Sequence, residues 1–180
     1  HITDLLTEQL QQVRGINTVP VNRVLLAMQT LRIRSIATAE QASKVMNVLG
    51  IDGLVVGTIT SWDPYQPPKL GLAVQLFTAM DEPARMNVDP QSMRTATTEA
   101  PGTPAPAQAM AQAAGIWDAS NHRTLATLER YAQGRTRLNS AYGPDLHLVD
   151  MDLYTQFVAY QLVEKLLRDE QNRLTAASRP

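Results

Sequence analysis

Two strand-like runs joined by a short, proline-rich link constrain the fold of this chain more than any other feature of its sequence. The first run, 54–60, is rich in valine, isoleucine and threonine, and the second, 69–79, places leucine and valine at alternate positions. The link between them is too short for a crossover helix, so the two runs are expected to pair as an antiparallel hairpin. Since the first run is apolar on both faces, we expect a central strand covered by helices.

Helical periodicity precedes this hairpin. Apolar residues recur at helical spacing over 2–13, which predicts a helix that stops at Gly15. Residues 16–21 are typical of an extended stretch, and Pro20 within it indicates an edge strand that is guarded against pairing. Asn22 is then a candidate cap for a second helix.

The capping-box spacing of Thr38 and Gln41 predicts a third helix, and Gly50 supplies its left-handed end. After the hairpin the pattern predicts a strand over 110–118, a helix capped by Ser120 or Asn121 and ending at Gly134, and a long helix over 152–173. This order of elements predicts an α/β layered sandwich. It would have a mixed sheet containing the hairpin, helices packed on the sheet, and a long C-terminal helix.

The chain is expected to form one domain over 1–180. A chain of 180 residues buries roughly 70% of its unfolded surface on folding, so a single core is sufficient without metal or disulfide bridges. From about 81 to 108, proline, alanine and threonine dominate, and few large apolar groups offset the ordering entropy. We therefore expect a mobile excursion there, and a frayed tail at 175–180.

Charge and cysteine content exclude several functional classes. The chain carries 16 Lys and Arg against 17 Asp and Glu, a net charge of −1, so nothing draws it to nucleic acid. The absence of cysteine excludes thiol catalysis and disulfides. The phosphate-loop, dinucleotide-binding, nucleophile-elbow, Ser-x-x-Lys and His-Glu-x-x-His motifs are all missing. We expect a protein that is not an enzyme and uses no cofactor.

The densest polar segment is 145–152, DLHLVDMD. His147 with Asp145, Asp150 and Asp152 supplies imidazole and carboxylate groups, which suit a metal site or an acid–base pair. The two later acids also stand where the N-terminus of the following helix favours acidic caps. We favour the capping interpretation, because no second histidine lies nearby in the sequence.

Two large aromatic residues stand beside prolines at the expected hairpin tip. Trp62, Tyr65, Pro67 and Pro68 are candidates for a partner-binding surface, because aromatic side chains anchor protein interfaces. The alternative is that the rings pack down and hold the link against the sheet. We favour packing for Trp62 and leave Tyr65 open between the two interpretations.

Two stretches together resemble a known group of proteins. The first is 38–77, especially its part 49–77, LGIDGLVVGTITSWDPYQPPKLGLAVQLF. The second joins 115–135, GIWDASNHRTLATLERYAQGR, to 152–167, DLYTQFVAYQLVEKLL. They resemble small bacterial extracytoplasmic lipoproteins of the curli-secretion-channel-like group. That group shares its fold with amino-terminal TolB-type domains and with outer-membrane activators of penicillin-binding proteins. The resemblance implies an α/β sandwich, a lipidated cysteine upstream of His1, and an assembly or scaffolding role without shared catalytic residues.

The leading hypothesis is a non-enzymatic envelope protein, periplasmic or surface-exposed, that contacts the membrane only through its lipid anchor. It would bind another envelope protein through the sheet edge or the hairpin tip. One alternative is a small-molecule-binding domain or an enzyme of unrecognised type, whose acidic crevice would use Asp63, Asp118 and the 145–152 segment. The other is a cytoplasmic regulatory module. The sequence leaves the oligomeric state open.

Overall fold

The computed structural model describes residues 2–79, 107–133, 135 and 142–177. The helices are α1 (Ile2–Gln11), α2 (Val21–Thr30), α3 (Ala39–Leu49), α4 (His122–Ala132), α5 (Leu146–Val149) and α6 (Met151–Ala177). The strands are β1 (Gly53–Asp63), β2 (Lys69–Ala79) and β3 (Ala107–Asp118). The described residues divide into two compact units, one within 1–21, 56–75 and 111–180 and the other within 22–55 and 76–110.

The segment between α1 and α2 is not a strand. Residues 16–20 are irregular, and α2 begins at Val21, directly after Pro20. The predicted edge strand at 16–21 is therefore wrong, and Pro20 guards no sheet edge. Proline suits this place because its fixed φ is compatible with helix entry and its missing N–H removes no helical hydrogen bond.

Helix α3 forms where its local signals predict it. The Thr38 hydroxyl accepts a hydrogen bond from Gln41 N at 3.3 Å, and Gln41 Oε1 accepts one from Thr38 N at 3.2 Å, so the capping box is confirmed. Gly50 ends the helix with φ 64° and ψ 42°, in the left-handed region that favours glycine. The face that carries Val45 and Met46 is buried.

The three strands form one antiparallel sheet in the order β1-β2-β3, and the predicted hairpin is its first half. In β2 the alternating residues Leu70, Leu72 and Val74 are buried, as their spacing predicts. However, β1 lies at the sheet edge, and residues 57–60 are exposed. The expected central position of this strand is wrong, because its β-branched residues fit a pleated edge as well as a covered centre.

The backbones of β1 and β2 approach closely at Gly71. A Cβ at this position would lie 2.5 Å from Thr60 Oγ1, 3.0 Å from Ser61 Cβ and 3.1 Å from Ser61 N. Glycine is therefore favoured here by space, since a side chain would force Thr60 to rotate and the neighbouring strand to shift.

Helix α4 begins at an Asn121 cap whose Oδ1 accepts from Arg123 N at 2.9 Å, which confirms Asn121 as the capping candidate. Helix α6 is longer than predicted, because it starts at Met151 and continues past Arg173 to Ala177. Thr175 thus lies in a helix instead of the expected tail. The end of the chain, 178–180, lies outside the described residues, as does most of the predicted excursion at 81–108.

The core of the first unit is built around α6. Tyr154, Phe157, Val158 and Leu162 of this helix are fully buried, and α1 packs against it with Leu5 inside. Burial of each large apolar side chain contributes roughly 1.5–3 kcal/mol. The fold class is confirmed: helices pack with a sheet that contains the hairpin, and a long helix ends the chain. The sheet is antiparallel throughout instead of mixed.

Candidate functional site

The hairpin tip, 62–68, comprises the last two residues of β1 and the connection to β2, and it carries the predicted partner-binding residues. Asp63 shapes this turn, because its Oδ1 accepts a hydrogen bond from Tyr65 N at 3.1 Å. An aspartate that bonds the backbone two residues later replaces a ladder bond and closes a turn locally. Asp63, followed by Pro64, is therefore a turn-forming residue as well as one of the polar residues proposed for an acidic crevice.

The four predicted residues of the tip do not form one surface. The Tyr65 side chain is 81% exposed, Trp62 is 49% exposed, and Pro67 is also exposed. Pro68, in contrast, is fully buried, so it anchors the tip and is not available to a partner. The structure places the Tyr65 side chain and about half of the Trp62 side chain in solvent, so Tyr65 is not packed against the sheet and Trp62 is packed only in part.

The base of the tip is tied to the end of β3. The carbonyl oxygen of Pro68 accepts a hydrogen bond from Ala119 N at 2.9 Å. Beside it, Lys69 Nζ lies 3.4 Å from Asp118 Oδ2. These two contacts join residues that are distant in sequence, and they fix the base while the aromatic residues remain exposed.

Asp118 is the most connected polar residue of this base. Its Oδ1 accepts from the Ser120 hydroxyl at 2.6 Å and from Ser120 N at 2.9 Å. These hydrogen bonds, followed by the charge of Lys69, lower the pKa of the Asp118 carboxyl below its ordinary value. Asp118 is thus an ionised structural residue that closes the β3–α4 turn.

Tyr154 lies fully buried in the same unit, within electrostatic range of Asp118. Burial, together with the negative charge of Asp118, raises the pKa of Tyr154 far above its ordinary value. Its hydroxyl has no hydrogen-bond partner among the described residues, and its ring contacts Phe157 at a centroid distance of 5.8 Å. The helical periodicity over 152–173 does not indicate that a hydroxyl is buried here.

In the 145–152 segment, Asp150 caps a helix, as the capping interpretation predicts. Asp150 caps α6, because its Oδ1 accepts from Asp152 N at 2.9 Å and from Leu153 N at 3.3 Å. Asp145 ends a short 3-10 helix and precedes α5, and Asp152 is exposed in the first turn of α6. His147 is buried, and its ring meets the Tyr131 ring edge to face at 5.9 Å.

Acidic and histidine side chains do not converge within the described residues: no group of three or more is placed to hold a metal ion. No three of the metal candidates Asp145, His147, Asp150 and Asp152 are therefore placed to share a metal ion, and Asp63 and Asp118 do not complete such a group. Also within the described part, no helix combines the length and the apolar character needed to cross a membrane.

The sequence did not predict a contact between the Arg135 guanidinium and the rings of two tyrosines. The Arg135 guanidinium lies 4.4 Å from the Tyr131 ring centroid and 5.4 Å from that of Tyr160, and Arg135 Nη1 donates to the Tyr131 carbonyl oxygen at 2.9 Å. Tyr131 also contacts Phe157 at 5.5 Å. Arg135 follows the end of α4, and no local signal in the sequence joins it to a tyrosine of α6.

Comparison of the chain with protein-family models, with curated proteins and with solved structures finds no match. The resemblance of 49–77 and 115–135 to envelope lipoproteins therefore stays a prediction. The most distinctive surface feature among the described residues is the hairpin tip, a turn with a fixed base that exposes the side chains of Trp62 and Tyr65.

Proposed function

We propose that this protein is a non-enzymatic protein-binding domain that contacts its partner through Trp62 and Tyr65 at the hairpin tip. The observation that carries the proposal is the 81% exposure of Tyr65 on a turn whose base is fixed by Pro68 and Lys69. Tyrosine and tryptophan bury large areas at low entropic cost, and for this reason they dominate the energetics of protein interfaces.

A fixed base favours binding by these side chains. The Asp63–Tyr65 hydrogen bond and the Pro68–Ala119 hydrogen bond hold both ends of the turn before any partner arrives. A preformed turn loses less conformational entropy on association than a flexible one, so more of the contact energy is available for affinity.

We further propose that the partner is another protein of the bacterial envelope and that this domain acts there in assembly or scaffolding. This part of the proposal rests on the resemblance of 49–77 and of the second stretch, 115–135 with 152–167, to envelope lipoproteins. Its non-enzymatic character is supported by the missing catalytic motifs in the sequence.

The test compares capture of envelope proteins by the wild-type chain, by Tyr65→Ala and by Tyr142→Ala. Tyr142 is a matched control, because it is also an exposed tyrosine, at 59%. Wild type and Tyr142→Ala should enrich the same protein, and Tyr65→Ala should lose it. Loss of an interface anchor of about 2 kcal/mol weakens the affinity by about 30-fold, which titration of the purified pair would measure.

The melting temperature separates binding from folding. An exposed side chain contributes within about 0.5 kcal/mol to stability, so the melting temperature of Tyr65→Ala should match that of the wild type. Unchanged capture by both Trp62→Ala and Tyr65→Ala would refute the proposal, and so would a clear loss of stability in Tyr65→Ala.

The envelope setting has a separate test. The protein produced from its natural gene should fractionate with membranes and be released by detergent but not by high salt, as expected for a lipid anchor. Recovery in the cytoplasmic fraction would remove the envelope setting and leave the hairpin-tip proposal to be judged by its own variants.

A further inference from the structure

The two edges of the sheet differ in whether other residues bind their backbone groups. Because the strand order is β1-β2-β3, each of the outer strands presents one row of backbone N–H and C=O groups that no strand of this sheet can bind. Such a row pairs with another strand unless something covers it.

The β3 edge is closed by side chains of α6. Asp169 Oδ2 accepts a hydrogen bond from Gln112 N at 3.3 Å, and Lys165 Nζ donates to the carbonyl oxygen of Ala114. Gln112 and Ala114 are two residues apart and therefore direct their backbone groups to the same side of the strand. Lys165 and Asp169 are four residues apart and lie on one face of the helix. An acceptor and a donor from α6 thus occupy the places that another strand would take.

Among the residues that the structure describes, nothing covers the β1 edge in this way. Residues 57–60 are exposed, and the Ile59 side chain is 52% exposed. No described residue outside the sheet is hydrogen-bonded to the backbone of β1. Proline, lysine and the other charged residues that usually protect an edge are missing from residues 53–62, GLVVGTITSW.

We infer that β1 pairs with β1 of a second copy of this chain, antiparallel across a two-fold axis, so that two three-stranded sheets become one sheet of six strands. The stretch 53–62 of β1 carries no charge, and this suits pairing with itself, since no like charges within it face each other across the axis. One open edge and one closed edge per chain also limit the assembly to two copies, because the completed dimer presents only the two closed β3 edges.

This inference concerns a surface other than the exposed aromatic residues of the tip, and it does not depend on the proposed function. Side chains such as Ile59 would be covered by the second copy. Trp62 and Tyr65 stand at the end of the strand, where the tip leads away from the sheet.

Sedimentation velocity of the full chain tests the inference. The wild type should sediment as a dimer that dissociates on dilution. Ile59→Lys places two lysines at the shared edge, and it should weaken the dimer by at least about tenfold. Ile116→Lys is the matched control, since Ile116 is 61% exposed on β3 at the closed edge, and this variant should remain as dimeric as the wild type. Tyr65→Ala should also remain dimeric.

Disulfide cross-linking provides a second measurement, and it does not depend on whether the folded protein tolerates a lysine in a strand. The chain contains no cysteine, so Thr58→Cys and Thr60→Cys each introduce a single thiol in β1, and mild oxidation should link at least one of them into a covalent dimer. Gln112→Cys on β3 should stay uncross-linked. A wild type that is monomeric at all concentrations would overturn the inference. It would also be overturned by a dimer broken by Ile116→Lys and not by Ile59→Lys, or by cross-linking of Gln112→Cys alone.

Discussion

Replacement of Gly71 by alanine adds one methyl group at a position where β1 lies close to the backbone of β2. The methyl carbon would meet Thr60 Oγ1 at 2.5 Å and Ser61 N at 3.1 Å. The threonine side chain is exposed and can rotate away, whereas Ser61 N belongs to the strand backbone and moves only if β1 moves with it. Gly71→Ala therefore has to separate the two strands of the hairpin locally.

The expected cost follows from two opposing effects. Inserting a methyl group into a packed site costs about 1–3 kcal/mol. Alanine in place of a strand glycine recovers about 0.5–1 kcal/mol, because glycine loses more backbone entropy on folding. The net destabilisation of Gly71→Ala should be about 0.5–2 kcal/mol. For a chain of 180 residues this lowers the melting temperature by a few degrees, at about 2–4 °C per kcal/mol.

Urea unfolding followed by circular dichroism measures the effect, with Gly53→Ala as the matched control. A Cβ at Gly53 would have its nearest neighbours at 3.6 Å and 3.8 Å, which is ordinary contact, so this variant should be as stable as the wild type or slightly more stable. The double variant Thr60→Ala, Gly71→Ala should recover part of the loss, because it removes the closest contact. A Gly71→Ala protein as stable as the wild type, or an equal loss in Gly53→Ala, would refute the argument from close approach.

Two further predictions concern Asp118, at the base of the hairpin tip, and Tyr154, in the core formed by α6. Ser120 and then Lys69 lower the pKa of Asp118 in the folded state, so the stabilisation from its charge is present above the unfolded pKa and is lost as the pH falls through the folded pKa. Asp118→Asn should thus lower the melting temperature at pH 7 and have no effect in strongly acidic solution, and a difference that persists there would contradict this. Tyr154→Phe should raise the free energy of unfolding by about 1 kcal/mol, because it removes a buried hydroxyl without a partner among the described residues. Tyr65→Phe, a change at an exposed ring, should have no effect, and a destabilised Tyr154→Phe would show that its hydroxyl is hydrogen-bonded in the folded protein.

Local signals predicted the elements whose structure is decided locally. The capping box of Thr38 and Gln41, the left-handed Gly50 and the hairpin link involve interactions between residues a few positions apart, which a sequence displays directly. The edge position of β1 could not be obtained in this way. Strand order depends on contacts between distant segments, and β-branched residues at 54–60 suit both an edge and a centre.

The candidate site was also predicted only in part, because some of its contacts join segments that are distant in sequence. Residue type alone pointed to Trp62 and Tyr65. The sequence did not show that Pro68 is buried while these two are exposed, because Pro68 is held by a hydrogen bond to the distant residue Ala119. The Lys69–Asp118 contact likewise joins two residues without any shared local pattern. Pro20 misled the prediction because proline is as suitable before a helix as it is in an edge strand.

At the hairpin tip, the residues that hold the turn in place differ from the residues that the turn exposes to solvent, because Pro68 is buried beside an exposed segment. Residues 64–67 are all exposed, while the hydrogen bonds that hold the turn come from Asp63 on one side and Pro68 on the other. Substitutions within 64–67 therefore alter what the tip presents without removing a buried contact. A lineage could exchange this four-residue segment and acquire a new binding specificity while its fold remained unchanged.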